Sequence, residues 1–182
     1  MTSVAFRLMF GIDEIGHLAD GYLAKYKAAD DEAVEAGRKI RERDYSRSNL
    51  EAIIGWKSTR RLGLIAENSD SEIADALHLA VRAKEPRSAF SVLIGLRGVA
   101  TPMASAILTA IDQEKYTVVD YRAVEALGVP DVDYYNLNFY LLSYFPECKR
   151  LASEAGVSLR TLDRALWYWS WDKDQKKTSA QG

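Results

Sequence analysis

Residues 96–104 read Leu96-Arg97-Gly98-Val99-Ala100-Thr101-Pro102-Met103-Ala104, and after SAILTAIDQEKYTVV the chain reaches Asp120. The stretch joins two helical patterns through a very tight turn. Before it, Pro86 opens a helix whose Phe90, Leu93 and Ile94 recur at helical spacing, and Gly98 ends it. Glycine accepts the positive φ that a sharp reversal needs. Val99 is apolar and pins the turn to a core. Thr101 is read as the cap of the next helix, with Pro102 at its first position, where a missing N–H costs nothing. Ala104, Ile107, Leu108 and Ile111 give that helix its stripe, and it stops near Asp112. Small residues at such a helix start leave several N–H groups pointing outward together, which suits a phosphate.

Working outward, the whole chain reads as helices, and the fold class predicted is all-α. Asp30 and Asp31 are read as caps of a helix running to about Arg43. Ser48 with Glu51 and Ser69 with Glu72 read as two capping boxes. Ile73, Ala76, Leu77 and Ala80 after the second box lie on one face. Tyr116–Val119 is β-branched and aromatic but too short for a sheet, so it reads as an extended connector. Asp120 then caps a short helix, Tyr121–Leu127, stopped by Gly128 and Pro130. Residues 134–145 are aromatic and helical, Pro146 starts another helix, and Gly156 ends it. Ser158 caps the last, which reaches about Trp171. Residues 1–172 form one helical domain on this reading, and 173–182 a polar, frayed tail.

The chain has 182 residues, 48% apolar and 27% charged, enough to bury a core without metals or disulfides. Its single cysteine, Cys148, excludes a disulfide framework and a protein-held iron–sulfur cluster. It reads as a small buried residue. His17 and His78 have no partners at ligand spacing, so no metal site is predicted. With no apolar run of membrane length and no signal-like start, the expected location is the cytoplasm. The net charge of −2 conceals a segregation: residues 35–61 sum to +4 and residues 82–102 to +3, leaving −9 elsewhere. That pattern fits a polyanion partner at one face, or helix faces solvated through ordinary salt bridges.

The segment from about 90 to 128 resembles the helix-hairpin-helix (HhH-GPD) superfamily of DNA glycosylases, which includes endonuclease III, adenine glycosylase, alkyladenine-type glycosylases and the 8-oxoguanine glycosylases. The shared features are the hairpin, the helix after it, and a short extended run ending in an aspartate. The resemblance implies a two-lobed helical fold with the hairpin near residues 86–112. It implies double-stranded DNA as partner, with Arg97, Gly98, Val99, Ala100, Thr101 and Met103 gripping a phosphate. It also implies base excision by Asp120, and the family's hairpins can hold a monovalent cation on backbone carbonyls; no other cofactor is expected. Arg97 stands where the family has proline, and Ala100 where it has its second glycine. Pro102 occupies the position of the lysine that attacks the sugar in bifunctional members. Without an amine there, the expected enzyme is monofunctional, with water as nucleophile. Lys115 or Lys57 substitutes only if the fold brings it to the sugar.

Cleaving an N-glycosidic bond builds positive charge on the sugar, and a fixed carboxylate stabilises it or orients water. Asp120 is therefore the candidate catalytic residue, although aspartate is also a favoured helix cap with no other task. A flipped base needs aromatic walls. Tyr121, beside the acid, and Trp169, set apart from Trp167 and Trp171, are the candidates. Trp56 lies within GWKSTRR, where stacking plus the cations Lys57, Arg60 and Arg61 suits nucleic acid, and core packing is the other reading. The functions that follow are a monofunctional DNA glycosylase, a non-catalytic helix-hairpin-helix binding module, or a helical scaffold without a nucleic-acid partner.

Overall fold

The computed structural model describes residues 4–180, and every regular element among them is helical. The spine is α1 (Ile15–Arg41), 27 residues and so about 40 Å long. Ile15, Leu18, Ala19, Tyr22, Ala33, Ala36 and Ile40 form its buried stripe. A 3₁₀ turn (Ile12–Glu14) precedes it. α2 (Arg47–Ser58) and a 3₁₀ turn (Thr59–Arg61) lead to α3 (Leu62–Ile65), α4 (Asp70–Arg82) and α5 (Pro86–Ile94). Then come α6 (Thr101–Ile111), α7 (Tyr121–Ala126), α8 (Leu137–Phe139), a π turn (Tyr140–Tyr144), α9 (Phe145–Ala155) and α10 (Leu159–Ala180). No described helix is long and apolar enough to cross a membrane.

All eleven residues of α6 are buried. A helix apolar on every side must be surrounded, and α1, α2 and α5 pack against it. The approach of α1 to α6 is set by Gly37, where an added Cβ would overlap the backbone carbonyl of Ala110. The turn between α5 and α6 is fixed as sharply. Gly98 has φ +84°, and a Cβ there would stand 2.9 Å from the Leu64 Cβ. Val99 is buried beneath it. Asn68, itself buried, clamps the turn: its Oδ1 accepts from the Arg97 N–H at 2.8 Å, and its Nδ2 donates to the Arg97 carbonyl at 3.1 Å.

The Ser69–Glu72 capping box, Pro86 as first residue of its helix, Gly156 as a left-handed stop (φ +65°) and the Ser158 cap stand as expected. Several boundaries do not. α1 runs through Asp30 and Asp31 without a break, because Asp30 is buried and bound by Arg160 and Arg164 instead of capping. α2 starts after Ser46, so Ser48 lies inside it and Glu51 faces Arg47. The cap of α6 is Ala100, in extended conformation, which moves Thr101 to the first position and Pro102 to the second. Residues 134–145 are helical only from Leu137, and the stretch before α9 is wound as a π turn around buried Tyr140 and Tyr144. Nor is the segment after Trp171 frayed: α10 continues to Ala180 because Lys173 bonds Glu125 at 2.6 Å and Asp174 accepts from Arg122 at 2.9 Å. Gln181 and Gly182 lie outside the described residues.

Two glycines of the long helices should respond oppositely to alanine. Gly37→Ala drives a methyl group into backbone that cannot rotate away, so thermal unfolding should show a loss of about 1–3 kcal/mol or more. Gly55→Ala in α2 meets nothing within 4 Å and should gain about 0.5–1 kcal/mol from helix preference alone.

Candidate functional site

The four residues before Asp120 are buried and outside any helix, and among the described residues no strand exists for them to pair with. Side chains satisfy their backbone. The Ser105 hydroxyl accepts from the Val119 N–H at 3.0 Å, while Tyr140 and Tyr144 donate their hydroxyls to the carbonyls of Thr117 (2.9 Å) and Val118 (2.6 Å). The connector ends in the N-cap of α7, where Asp120 Oδ1 accepts from the Ala123 N–H at 3.0 Å. The other oxygen, Oδ2, receives the ammonium of Lys57 from α2. Both side chains are only 14% exposed. Burial pushes this carboxyl upward, but the charge and hydrogen bond of Lys57, with the Ala123 N–H, outweigh it and hold the group below the usual carboxylate range.

The Lys57–Asp120 pair separates two hollows, and both residues line each of them. The inner one, about 130 Å³, has aromatic walls from Tyr22, Tyr26, Trp56 and Trp167 and a polar end at Arg160, Asp163 and Arg164. For scale, a dry cavity of about 150 Å³ accommodates a benzene ring. The outer one, about 140 Å³, is lined by Arg60, Arg61, Gly98, Ala100, Pro102, Met103, Tyr121, Tyr134 and Tyr135. Among the described residues neither Arg60 nor Arg61 forms an ion pair, so both cations remain available there.

The sequence-predicted residues therefore gather around the outer hollow, except Arg97, Val99, Thr101, Trp56 and Trp169. Arg97 lines neither hollow; its guanidinium, 67% exposed, pairs with Glu67 at 2.9 Å. Val99 is buried and its N–H is closed on the Leu96 carbonyl at 3.2 Å, so it anchors the turn and offers no donor. The N–H groups of Thr101 and Met103, in the first turn of α6, remain without intrahelical partners. The Thr101 hydroxyl donates to the Tyr135 carbonyl at 2.6 Å, tying the rim to the hairpin. Trp56 is a wall of the inner hollow: its N–H donates to Tyr22 Oη at 3.2 Å and Arg160 covers its face at 5.0 Å. Trp169 lines neither of these hollows and packs on Phe10, 6.0 Å away. Two residues along a helix is about 200° of rotation, so Trp167 takes the inner wall and Trp169 turns from it.

Tyr121, 49% exposed with Arg122 over its ring, lines the outer hollow and not the inner one. Lys115 lies over Tyr116 and lines neither hollow. Two turn carbonyls, Leu96 and Arg97, already accept hydrogen bonds. No group of three His, Cys, Asp or Glu placed to hold a metal occurs among the described residues. His78 packs against Tyr45, and Cys148 is buried, its thiol pushed well above the ordinary value by that burial.

Sequence reasoning missed the cluster behind the inner hollow. Asp30, wholly buried, binds both Arg160 and Arg164, and Arg160 also bonds Asp163. The spacing Arg160, Asp163, Arg164 on one helix was a signal, but nothing in the sequence placed it opposite Asp30. Burial raises the Asp163 carboxyl from 3.8 to about 6 despite the opposing charge of Arg160, and the negative charge of Asp120 adds to the rise.

No protein-family model, curated protein or solved structure matches this chain.

Because the folded-state value of Asp163 is raised, the stability it contributes is complete below about pH 3.8 and is lost as pH climbs through about 6. Urea unfolding of the wild type and Asp163→Asn at pH 4.5 and 7.5 should therefore show their difference moving against the wild type at the higher pH. A difference constant across that range would contradict the raised value.

Proposed function

We propose that this chain is a DNA glycosylase of helix-hairpin-helix type, with the two-lobed fold of that superfamily, acting on a damaged or modified base flipped from duplex DNA. The observation that carries the reading is the position of Asp120, an ionised carboxylate standing between an aromatic hollow and a hollow edged by the hairpin and two unpaired arginines.

In this reading the duplex backbone lies along the outer hollow. Arg60 and Arg61 neutralise phosphates, and the free N–H groups at the start of α6 hold one more. The extruded base enters the inner hollow between Trp56, Trp167 and Tyr22, with Arg160, Asp163 and Arg164 at its far edge. The sugar then rests at the boundary, against Asp120. As the glycosidic bond lengthens, the deoxyribose gains cationic character, and a fixed anion in a site of low dielectric stabilises it. With Pro102 at the hairpin position, the enzyme is monofunctional and water is the nucleophile unless an amine reaches the sugar, and Lys57 of α2 lies on the acid.

A second reading is favoured by one observation. Both Asp120 oxygens already have protein partners, the Ala123 N–H and Lys57, as a purely structural cap and strut would. This is the non-catalytic DNA-binding module.

Two measurements test the proposal. Duplex binding should weaken steeply with salt, and Arg60→Ala/Arg61→Ala should reduce the log–log salt slope by up to about 2. Salt-independent or absent binding removes DNA as the partner. Duplexes carrying alkylated, oxidised, deaminated or hypermodified bases, incubated with protein and then alkali, should be cut at one class of base. Asp120→Asn should slow that release by roughly 100-fold or more. Binding with no base released from any duplex supports the module instead.

A further inference from the structure

We propose that Lys57 is a nucleophile of this site, its amine forming a Schiff base with C1′ of an abasic deoxyribose and so giving the chain a strand-cleaving activity. The inference rests on the glycosylase reading for where the sugar lies, but not on which base is removed.

The placement carries it. Lys57 is the penultimate residue of α2, and its ammonium reaches 63 residues along the chain to Asp120, its one ion-pair partner among the described residues. The side chain is 14% exposed and lines both hollows, and Pro102, which also lines the outer one, offers no reactive atom. A lysine whose task was only phosphate binding would reach outward, as Arg60 does on the following turn. This one is folded inward onto the carboxylate, where an amine needs a proton acceptor to become reactive.

The step balances. An abasic sugar in its open form presents an aldehyde at C1′. Two protons leave the ammonium through Asp120 and end on the aldehyde oxygen. The nitrogen lone pair forms the bond to C1′, the C1′–O bond breaks, water departs, and a protonated imine remains. Asp120 then takes a C2′ proton, and the freed C–H electron pair forms the C2′=C3′ bond. The 3′ phosphate leaves with the electron pair of the C3′–O bond, which cuts the strand; water hydrolyses the imine and frees Lys57. With an intact nucleoside the same amine displaces the base, which leaves with the glycosidic electron pair and takes up a proton.

The test uses the full chain and a duplex containing one abasic site, so it needs no knowledge of the base. Sodium borohydride supplies hydride to reduce the imine to a stable amine. Wild type should give a covalent protein–DNA adduct and, without borohydride, a nicked strand. Peptide mapping of the wild-type adduct should place the sugar remnant on Lys57, a readout that does not depend on any variant folding. Lys57→Arg keeps a cation for Asp120; its binding to the abasic duplex should stay within about 3-fold, while its adduct yield falls roughly 100-fold. An adduct on the N-terminal amine or another lysine overturns the proposal, as does equal trapping by Lys57→Arg. So does a wild type that binds the abasic duplex without forming an adduct. Base release from a lesion-bearing duplex without trapping would leave the glycosylase reading standing with water as nucleophile. A protein that binds no duplex would bring down both.

Discussion

Four buried residues, 116–119, run outside any helix and, among the described residues, without a strand beside them, and buried backbone polar groups must find partners. Ser105, Tyr140 and Tyr144 supply them. Leaving such a group unpaired costs about 1–3 kcal/mol each, so the path of the connector is set by three hydroxyls in fixed positions. Those hydroxyls are fixed in turn by α6 and by the aromatic stack around the π turn, where Tyr140 lies 4.6 Å from Phe90 and nearly parallel to Phe145. Asp120 sits where that path ends. The acid is therefore positioned by the core and not by a loop, as a group that must meet a reacting atom requires.

Charge divides the site as clearly as shape does. Asp120 and Asp163 line the same hollow, yet one is held ionised by Lys57 and the other is pushed toward neutrality by burial. Neighbouring carboxylates with such divergent surroundings perform different chemical tasks wherever both meet a substrate. Asp30 supports this arrangement by binding Arg160, which lies over the Trp56 ring, and Arg164. An unpaired charge at that depth would be expensive, so the triad is a constraint on α1 and α10 as much as a lining for the cavity.

Much of this was legible in the chain. The hairpin was written in Gly98, Val99 and the small residues after them, and the extended run into an N-cap aspartate was written in Tyr116–Asp120. Those signals are local, because glycine conformation, capping and apolar spacing act within a few residues. What stayed hidden was long-range. Nothing near Lys57 marks it as the partner of Asp120, and nothing near Asp30 distinguishes a buried ion-pair centre from a helix cap. Trp167 and Trp169 are equivalent in composition, and only the rotation of α10 against α1 assigns one of them to the hollow. Asn68 gave no sign that it would clamp the turn. Ser48 with Glu51 matches a capping box by spacing, but the helix already begins at Arg47, and Ser46 at its cap position makes no side-chain cap hydrogen bond.

The polar end of α10 has a consequence for how such a chain changes over time. α7 has six residues, far fewer than the roughly 12–15 an isolated helix needs to persist in water. It is splinted by Ser170, Lys173 and Asp174, which bond Glu125 and Arg122 from alongside. The hydrophilic stretch and the short helix that presents the carboxylate are thus one mechanical unit separated by some fifty residues of sequence. Lineages that shorten or rewrite that stretch must brace α7 by other means or give up the alignment of the acid, so the two segments are expected to be inherited and altered together.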